Sequence, residues 1–274
     1  MLNSYVSGVG HYLPEKVMTN DDLAQIIDTS DEWIKERTGI SKRHFAAKGE
    51  GPSDLAIPAA EMAMNMAGIK KTDLGLIVFA TSTPDYYVPG SACILQDKMN
   101  IPDIGALDIR VQCSGFIYGL SVAEQFIKTG AVKHVLVIGA EVQSTALDLT
   151  TNGRDTAVIF ADGAGAAIVS GTKENKGILS THLHSNGRYA KELWIESPSS
   201  TGNPRLNQQI LDEGRQFLYM NGREVFRHAV DKFPSVIKTA MDANNFDKDD
   251  VDFLVPHQAN IRIIQFISKK LKFP

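Results

Sequence analysis

The order of apolar and polar positions predicts alternating strands and helices over most of the chain. A continuous apolar run at residues 74–80 has the length of a strand, and further strands are predicted at residues 104–109 and 134–139. Such runs are typical of parallel strands that are covered on both faces. Helical spacing of small and apolar residues recurs at residues 90–99 and 113–128. Strands that alternate with helices predict an α/β fold with a parallel sheet.

A glycine-rich stretch in the middle of the chain has two possible interpretations. Residues 157–161 and 164–170 are apolar and flank Asp162-Gly163, a pattern that predicts a hairpin. The same glycines also resemble a phosphate-binding loop. They lack the lysine and hydroxyl residue of that motif and open no predicted helix, so the hairpin is favoured.

The C-terminal third repeats the α/β pattern. A helical pattern begins after Asn221 and contains Pro234, which is expected to kink or restart the helix. Residues 251–255 predict a strand, and residues 260–271 predict an amphipathic helix.

A short internal repeat links the two parts of the chain. Residues 63–65 (AMN) match residues 240–242 (AMD), and the same offset pairs Lys71 with Lys248 and Asp73 with Asp250. Matches this short also arise by chance, but a true repeat predicts two related halves. We place the halves at residues 1–171 and 172–274. Because the second copy stops early, we expect the second half to be incomplete at its C-terminus.

Composition and charge exclude several classes of protein. The chain has 274 residues, with 28 Lys and Arg against 32 Asp and Glu, a formal charge of −4. This balance argues against a nucleic-acid binder, and no apolar run is long enough for a membrane span. The two cysteines form no disulfide framework and indicate a cytoplasmic protein. No Cys/His spacing predicts a metal site.

Cys113 is the first candidate for chemistry. It lies between a predicted strand and a predicted helix, at the sheet edge where active sites concentrate. The positive end of the helix dipole is expected to lower the pKa of its thiol. The alternative is a buried core cysteine, because free cysteine is among the most buried residue types. That interpretation is favoured for Cys93, inside the helix at residues 90–99.

His257 is the second candidate. It follows the strand predicted at residues 251–255, and the repeat would bring it to the same face as Cys113. A Cys–His pair supports acyl transfer through a thioester. A lone histidine is more often structural, so both interpretations stay open.

Trp33 and Arg37 lie one helical turn apart. An indole beside a cation suits stacking on adenine and pairing with phosphate. A half-buried tryptophan beside a solvated arginine is the simpler alternative. Arg154, in a glycine-rich loop, is equally open.

Five segments together resemble β-ketoacyl-acyl-carrier-protein synthase III, an initiating condensing enzyme of the thiolase superfamily. They are residues 31–34 (DEWI), 37–40 (RTGI), 113–116 (CSGF), 160–166 (FADGAGA) and 256–262 (PHQANIR). The resemblance implies a five-layered αβαβα fold of two duplicated halves, the second incomplete at its C-terminus here.

The resemblance also implies a decarboxylative Claisen condensation that initiates type II fatty-acid synthesis. Cys113 would take an acyl group from acetyl-CoA or a similar acyl-CoA in a ping-pong reaction. Malonyl-acyl-carrier protein would then lose CO₂ and attack the acyl-cysteine, giving a 3-oxoacyl-carrier protein, while His257 would stabilise the enolate. Coenzyme A enters as a substrate thioester, and no metal or other cofactor is implied. A cytoplasmic homodimer is expected.

Further residues are assigned by the same resemblance. The assigned groups are Thr29, Trp33, Arg37 and Arg154 for coenzyme A; Gln258, Ala259, Asn260, Ile261 and Arg262 for carrier-protein docking; and Val88 and Phe160 for the acyl pocket. The smaller side chain at Val88 hints at a longer or branched primer.

The chain departs from the family at its C-terminal end. The family's catalytic asparagine and a glycine-rich oxyanion loop have no counterpart before residue 274, and Asn260 is not that asparagine. We therefore expect the chain as given to be impaired. Two alternatives stay open, a same-fold ketosynthase of specialised metabolism and a non-catalytic carrier-protein-binding subunit.

Overall fold

The computed structural model describes residues 2–273. Its strands are β1 Asn3–Tyr12, β2 Lys16–Thr19, β3 Lys42–Phe45, β4 Leu76–Ala80, β5 Gly105–Ile109, β6 His134–Val142, β7 Asp162–Thr172, β8 Leu193–Trp194 and β9 Tyr219–Met220. Its α-helices are α1 Asn20–Ala24, α2 Asp31–Thr38, α3 Pro52–Ala67, α4 Ser91–Lys98, α5 Gly115–Lys128, α6 Arg154–Ala157, α7 Gln208–Asp212, α8 Gly222–Asn244 and α9 Ile261–Leu271.

The chain divides into two compact units, each made of segments that are separate in sequence. The first unit comprises the residues up to Val17, His44–Val142 and Ala161–Thr181. The second comprises Met18–Arg43, Gln143–Phe160 and the chain from His182 onward. These units do not test the predicted division into repeated halves, residues 1–171 and 172–274, which stays a prediction.

A five-stranded sheet forms the centre of the first unit, in the order β1-β7-β6-β4-β5. Strands β5, β4 and β6 are parallel, as the alternation of strands and helices predicts. Strands β7 and β1 join them antiparallel, so the sheet is mixed rather than all parallel. The α/β class is confirmed, and the predicted parallel pairing holds for β5, β4 and β6 but not for β7 and β1.

Both faces of the central strands are buried, which explains their continuous apolar runs. Ile77 and Phe79 of β4 face the cluster formed with α3 and α4, whereas Leu76 and Val78 face α5. The sheet is thus sandwiched between helical layers. The nucleophile predicted at Cys113 lies on the connection from β5 to α5.

The C-terminal ends of two helices support the internal repeat. Helix α3 ends at Ala67 and α8 ends at Asn244, the same offset as in the sequence match. Each is capped by a residue in the left-handed region, Gly68 at φ 68° and Asn245 at φ 54°. Each is followed by a 3-10 turn, Lys71–Asp73 and Lys248–Asp250, that closes with a capping box. The two copies therefore fold alike through this stretch.

Three further predictions about secondary structure are wrong. The hairpin at Asp162-Gly163 is replaced by the single strand β7, because Asp162 pairs with Val142 at the start of the ladder and its carboxylate accepts a hydrogen bond from Ala46 N. Residues 251–255 form no strand, because no other segment within residues 2–273 pairs with them. Helix α8 continues through Pro234 without restarting.

Within residues 2–273, every helix is too short or too polar to cross a lipid bilayer.

Candidate active site

Cys113 sits on a tight turn between a strand and a helix, as its sequence position predicts. Strand β5 ends at Ile109, a 3-10 turn covers Gln112–Ser114, and α5 begins at Gly115. Gln112 has φ 44°, in the left-handed region that side chains rarely occupy. The side chain of Cys113 is solvent-accessible. The alternative of a sealed core cysteine does not apply to it.

Gly115 lets this turn lie directly against the sheet. A Cβ atom at position 115 would be 2.7 Å from the Cβ of Ala80, the last residue of β4. Such a distance is too short for two carbon atoms, so any larger residue would push the turn outward. The small residue is therefore a requirement of the packing, and it keeps Cys113 close to the strand ends.

The pKa of the Cys113 thiol is raised above its usual value, contrary to the sequence prediction. The main cause is the protein that surrounds the accessible thiol, since it disfavours the charged form. The negative charge of Glu141 raises the pKa further, and a hydrogen bond from the residue's own backbone N–H lowers it. The amide at the helix end thus acts as predicted, but burial and the nearby carboxylate outweigh it.

Glu141 is the site residue that sequence reasoning missed. It lies near the end of β6, and its carboxylate accepts hydrogen bonds from Ser82 N at 2.8 Å, Ser82 Oγ at 2.9 Å and Thr83 Oγ1 at 2.7 Å. These donors follow β4, the next strand of the sheet. A carboxylate at the end of the apolar run HVLVIGAEV was the available signal.

Replacing Glu141 by glutamine is expected to lower the pKa of Cys113, because the charge that opposes the thiolate is removed. The midpoint of the pH profile for alkylation by iodoacetamide should therefore move to lower pH. Glu124→Gln is the matched control, since it neutralises a buried carboxylate that pairs with Lys128 in the same unit. An unchanged midpoint in Glu141→Gln would show that this carboxylate does not act on the thiol.

The second cysteine, Cys93, is not part of the hydrophobic core. Cys93 lies in α4, as predicted, but it is exposed. The helix turns Ala92 and Leu95 toward the core and leaves Cys93 on the outer side. The prediction of a core cysteine is wrong at this position, and Cys93 becomes a useful control for the chemistry of Cys113.

His257 lies in the second unit, on an irregular segment that precedes α9. The residue is exposed, but the protein around its imidazole lowers the pKa below the usual 6.5, which favours the neutral ring. Phe253 and Val255, just before it, are 89% and 82% exposed. Cys113 belongs to the first unit, and the pairing of Cys113 with His257 stays a prediction.

Trp33, Arg37 and Arg154 come together in the second unit. The Cζ atom of Arg37 lies 4.4 Å from the centroid of the Trp33 ring, and that of Arg154 lies 4.7 Å from it. Trp33 is half-buried in α2, which begins at the N-cap Ser30 and ends at Gly39, as predicted. Two guanidinium groups against one indole form an aromatic and cationic surface that suits a base and its phosphates.

Thr29 and Arg154 add unsatisfied polar atoms to this cluster. Thr29 Oγ1 and Arg154 Nε are buried and have no hydrogen-bond partner within the described residues. Arg154 Nη1 donates to the carbonyl of Asp28 at 3.1 Å, which ties the Arg154 segment to the residues before α2. Buried polar atoms of this kind are costly unless something else pairs with them.

The predicted docking segment leads into α9. Asn260 caps this helix by accepting a hydrogen bond from Arg262 N at 2.8 Å, and Gln258 and Ala259 come just before the cap. Arg262 Nε also donates to the carbonyl of Glu36 in α2 at 3.1 Å. Ile261 lies against Gly39, where a Cβ would approach its Cβ to 2.9 Å. The start of helix α9 is therefore hydrogen-bonded and packed against the C-terminal end of α2.

The two residues predicted for the acyl pocket fall in different units. Val88 is 80% exposed and lies between β4 and α4 in the first unit. Phe160 is half-buried, just after α6 in the second unit. Their joint role as a pocket wall stays a prediction.

Comparisons with known proteins give consistent matches. The family described as 3-oxoacyl-[acyl-carrier-protein (ACP)] synthase III matches residues 107–187, and its C-terminal family matches residues 241–274. A β-ketoacyl-[acyl-carrier-protein] synthase III from Xylella fastidiosa is 47% identical over 268 residues, covering 97% of this chain and 79% of the relative.

Solved structures agree with these matches. A 3-oxoacyl-[acyl-carrier-protein] synthase III from Aquifex aeolicus superposes with a TM-score of 0.88 at 38% identity, covering 99% of this chain and 82% of that chain. The corresponding enzyme from Thermus thermophilus gives a TM-score of 0.89 at 36% identity, over 98% and 81% of the two chains. The predicted thiolase-like fold is confirmed, and the shared names favour a fatty-acid condensing enzyme over a specialised ketosynthase or a non-catalytic subunit. The chain therefore belongs to the β-ketoacyl-acyl-carrier-protein synthase III family.

Proposed function

We propose that this protein condenses a short acyl group, taken from acetyl-CoA or a similar acyl-CoA, with malonyl-acyl-carrier protein, using Cys113 as the nucleophile. The observation that carries the proposal is the accessible thiol on the turn between β5 and α5. A thiol at a helix N-terminus has backbone amides nearby that can stabilise negative charge. The product is a 3-oxoacyl-carrier protein, the first condensation product of fatty-acid synthesis.

The first half-reaction transfers the acyl group. Cys113 Sγ forms a bond to the thioester carbonyl carbon, the carbon–sulfur bond to coenzyme A breaks, and the thiol proton leaves with the released coenzyme A. A raised pKa keeps Cys113 as a thiol before substrate arrives. Acylation removes the ionisable group, and the thiolate that Glu141 disfavours forms again only when Cys113 leaves in the second half-reaction.

The second half-reaction forms the carbon–carbon bond. The malonyl group loses CO₂, and the electron pair of the broken bond moves into an enolate on the thioester. The enolate carbon attacks the acyl-cysteine carbonyl, and the Cys113 thiolate leaves and is reprotonated. A neutral imidazole suits His257 to donate a hydrogen bond to the enolate oxygen, and burial favours that neutral form.

Coenzyme A binding is assigned to Thr29, Trp33, Arg37 and Arg154. The indole offers a flat face for the adenine ring, and the two arginines lie against that ring, where phosphates would follow. The unpartnered Thr29 Oγ1 and Arg154 Nε are further contacts for a polar ligand. The grouping of these four residues in one unit supports a nucleotide site.

Carrier-protein docking is assigned to residues 258–262 and α9. Ile263 and Ile267 anchor the helix in the core, whereas its basic side chains are exposed. These are Arg262, Lys269, Lys270 and Lys272. A basic surface steers an acidic partner toward the site even in a chain of net charge −4.

A homodimer and a cytoplasmic location complete the proposal. Strand β5 is an edge strand, hydrogen-bonded only to β4 among the described strands, and such an edge is a template for pairing with a second copy. Tyr86, Tyr87 and Val88 are exposed on the connection from β4 to α4 and would gain burial in an interface. Both cysteines are free thiols, the form that persists in a reducing compartment.

Intact-mass analysis after incubation with acetyl-CoA tests the proposal. We expect the wild-type protein to gain the mass of one acetyl group, and fragmentation should place that group on residue 113. Cys93→Ser, which removes the other exposed thiol, should acquire the same adduct. An adduct on any other residue, or no adduct at all, would contradict the proposed role of Cys113.

A further inference from the structure

Arg43 is a buried arginine that the proposed mechanism does not use. It is 3% exposed, and within residues 2–273 no carboxylate forms an ion pair with it. Burial lowers the pKa of its guanidinium, which records the cost of holding the charge in the protein interior. A buried cation without a counter-ion is expensive, so its retention calls for a specific role.

One side of the Arg43 guanidinium holds the segment that carries Arg154. Arg43 Nη2 donates to the carbonyl of Val158 at 3.2 Å. Val158 is the C-cap of α6, and Arg154 is the first residue of that helix. The contact therefore fixes the backbone from which Arg154 reaches the Trp33 ring.

The same nitrogen of the guanidinium also holds the helix that carries Trp33. Arg43 Nη2 donates to Asn20 Oδ1 at 2.8 Å, and Asn20 Nδ2 donates to Asp31 Oδ1 at 2.9 Å and to the carbonyl of Ile40 at 2.8 Å. Asn20 is itself 1% exposed. Asp31 is the first residue of α2 and Ile40 follows its C-terminal end, so Asn20, held by Arg43, is hydrogen-bonded at both ends of the helix that carries Trp33.

We propose that Arg43 is a positioning residue for the nucleotide end of acyl-CoA, holding α2 and α6 at the spacing that lets Trp33 and Arg154 receive the adenine ring. The inference rests on the proposed coenzyme A site. Arg154 Cζ lies 4.7 Å from the indole centroid, so a base that stacks on this face of the indole must displace the Arg154 side chain. Because Arg43 holds the backbones of α2 and α6, the side chains of Trp33 and Arg154 can move while the spacing of the two helices is kept.

The geometry of the contacts requires arginine rather than lysine. Arg43 Nη1 donates to the carbonyl of Met18 at 3.2 Å, in addition to the bonds from Nη2 to Asn20 and Val158. A planar guanidinium presents several donors in a rigid fork, whereas a lysine ammonium is a single point on a flexible stem. Arg43→Lys should therefore keep the positive charge but lose the hydrogen bonds that hold α2 and α6 at their spacing.

The test compares two acyl donors, acetyl-CoA and acetyl-pantetheine, which lacks the adenine nucleotide. For Arg43→Lys and Arg43→Met we expect the KM for acetyl-CoA to rise about tenfold with kcat within about twofold, as for lost binding of a remote group. The kcat/KM for acetyl-pantetheine should stay within about twofold of wild type. Asn20→Ala, which breaks the bridge to Asp31 and leaves Arg43 in place, should show the same selective change.

Ser170→Ala serves as the structural control. Ser170 is a buried residue of β7 whose hydroxyl hydrogen-bonds to Ser7 and His134, and none of these belongs to the proposed coenzyme A site. Its replacement should lower the Tm and leave unchanged the ratio of kcat/KM for acetyl-CoA to kcat/KM for acetyl-pantetheine. If kcat/KM falls equally for acetyl-CoA and acetyl-pantetheine in the Arg43 variants, the role of Arg43 is structural and the inference is overturned. If the Arg43 variants do not fold, the same result in Asn20→Ala overturns it.

Trp33→Ala separates this inference from the proposal beneath it. If Trp33→Ala leaves the KM for acetyl-CoA unchanged, the coenzyme A site is wrongly assigned. If Trp33→Ala raises that KM selectively and the Arg43 and Asn20 variants do not, the coenzyme A site stands and the positioning role of Arg43 fails.

Discussion

Cys113→Ser is expected to lower the rate of condensation by at least about 10³-fold, because it removes the nucleophile that carries the acyl group between the two substrates. A serine hydroxyl is far less acidic than a thiol, and the burial and the Glu141 charge that raise the pKa of the cysteine would also disfavour a serine alkoxide. The measurement is formation of 3-oxoacyl-carrier protein from acetyl-CoA and malonyl-carrier protein.

Two controls make the loss specific. Cys93→Ser, at an exposed position on α4, should retain full activity. Cys113→Ser should still bind coenzyme A with the wild-type affinity, because Trp33 and Arg154 belong to the other unit. Turnover by Cys113→Ser at a rate near wild type would remove the acyl-enzyme from the mechanism.

Local chemistry explains what the sequence could predict about this site. The Ser30 cap and the Gly39 end of α2 are contacts between side chain and backbone a few residues apart. The turn at Cys113 follows from an apolar strand and a helical pattern that are adjacent in the chain. These features need no knowledge of distant residues, and the structure confirms them.

Contacts between distant segments explain what the sequence could not predict. The antiparallel strand β7 and the position of Glu141 depend on which strands pair, and apolar patterning does not specify pairing. The pKa of Cys113 is raised mainly by burial and further by Glu141, and both causes depend on how the sheet assembles around the thiol. The contact of Arg154 with Trp33 joins segments remote in the chain, and only the family resemblance pointed to it.

The predicted strand at residues 251–255 failed for a related reason. Its apolar pattern describes side chains that would suit a buried strand, but a strand also needs a neighbour to receive its backbone hydrogen bonds. Within residues 2–273 no segment supplies that neighbour. Patterning thus identifies segments capable of forming a strand, and the partner determines whether the strand forms.

His257→Ala is expected to lower decarboxylation of malonyl-carrier protein by roughly 10²–10³-fold, the usual cost of one donor to a developing oxyanion. The lowered pKa of His257 keeps its imidazole neutral at neutral pH, so it can donate a hydrogen bond without adding a positive charge. The measurement is release of labelled CO₂, with acetylation of Cys113 by acetyl-CoA followed separately by intact mass.

The separation of the two half-reactions makes this prediction decisive. A donor to the malonyl enolate acts after acylation, so His257→Ala should still acquire the acetyl group on Cys113. His257→Gln retains a neutral N–H donor and should recover part of the CO₂ release. His228→Ala removes a histidine whose ring contacts Tyr189 in the same unit, and this variant should release CO₂ at the wild-type rate. Unchanged release in His257→Ala would mean that another group stabilises the enolate, and His257 would then be structural.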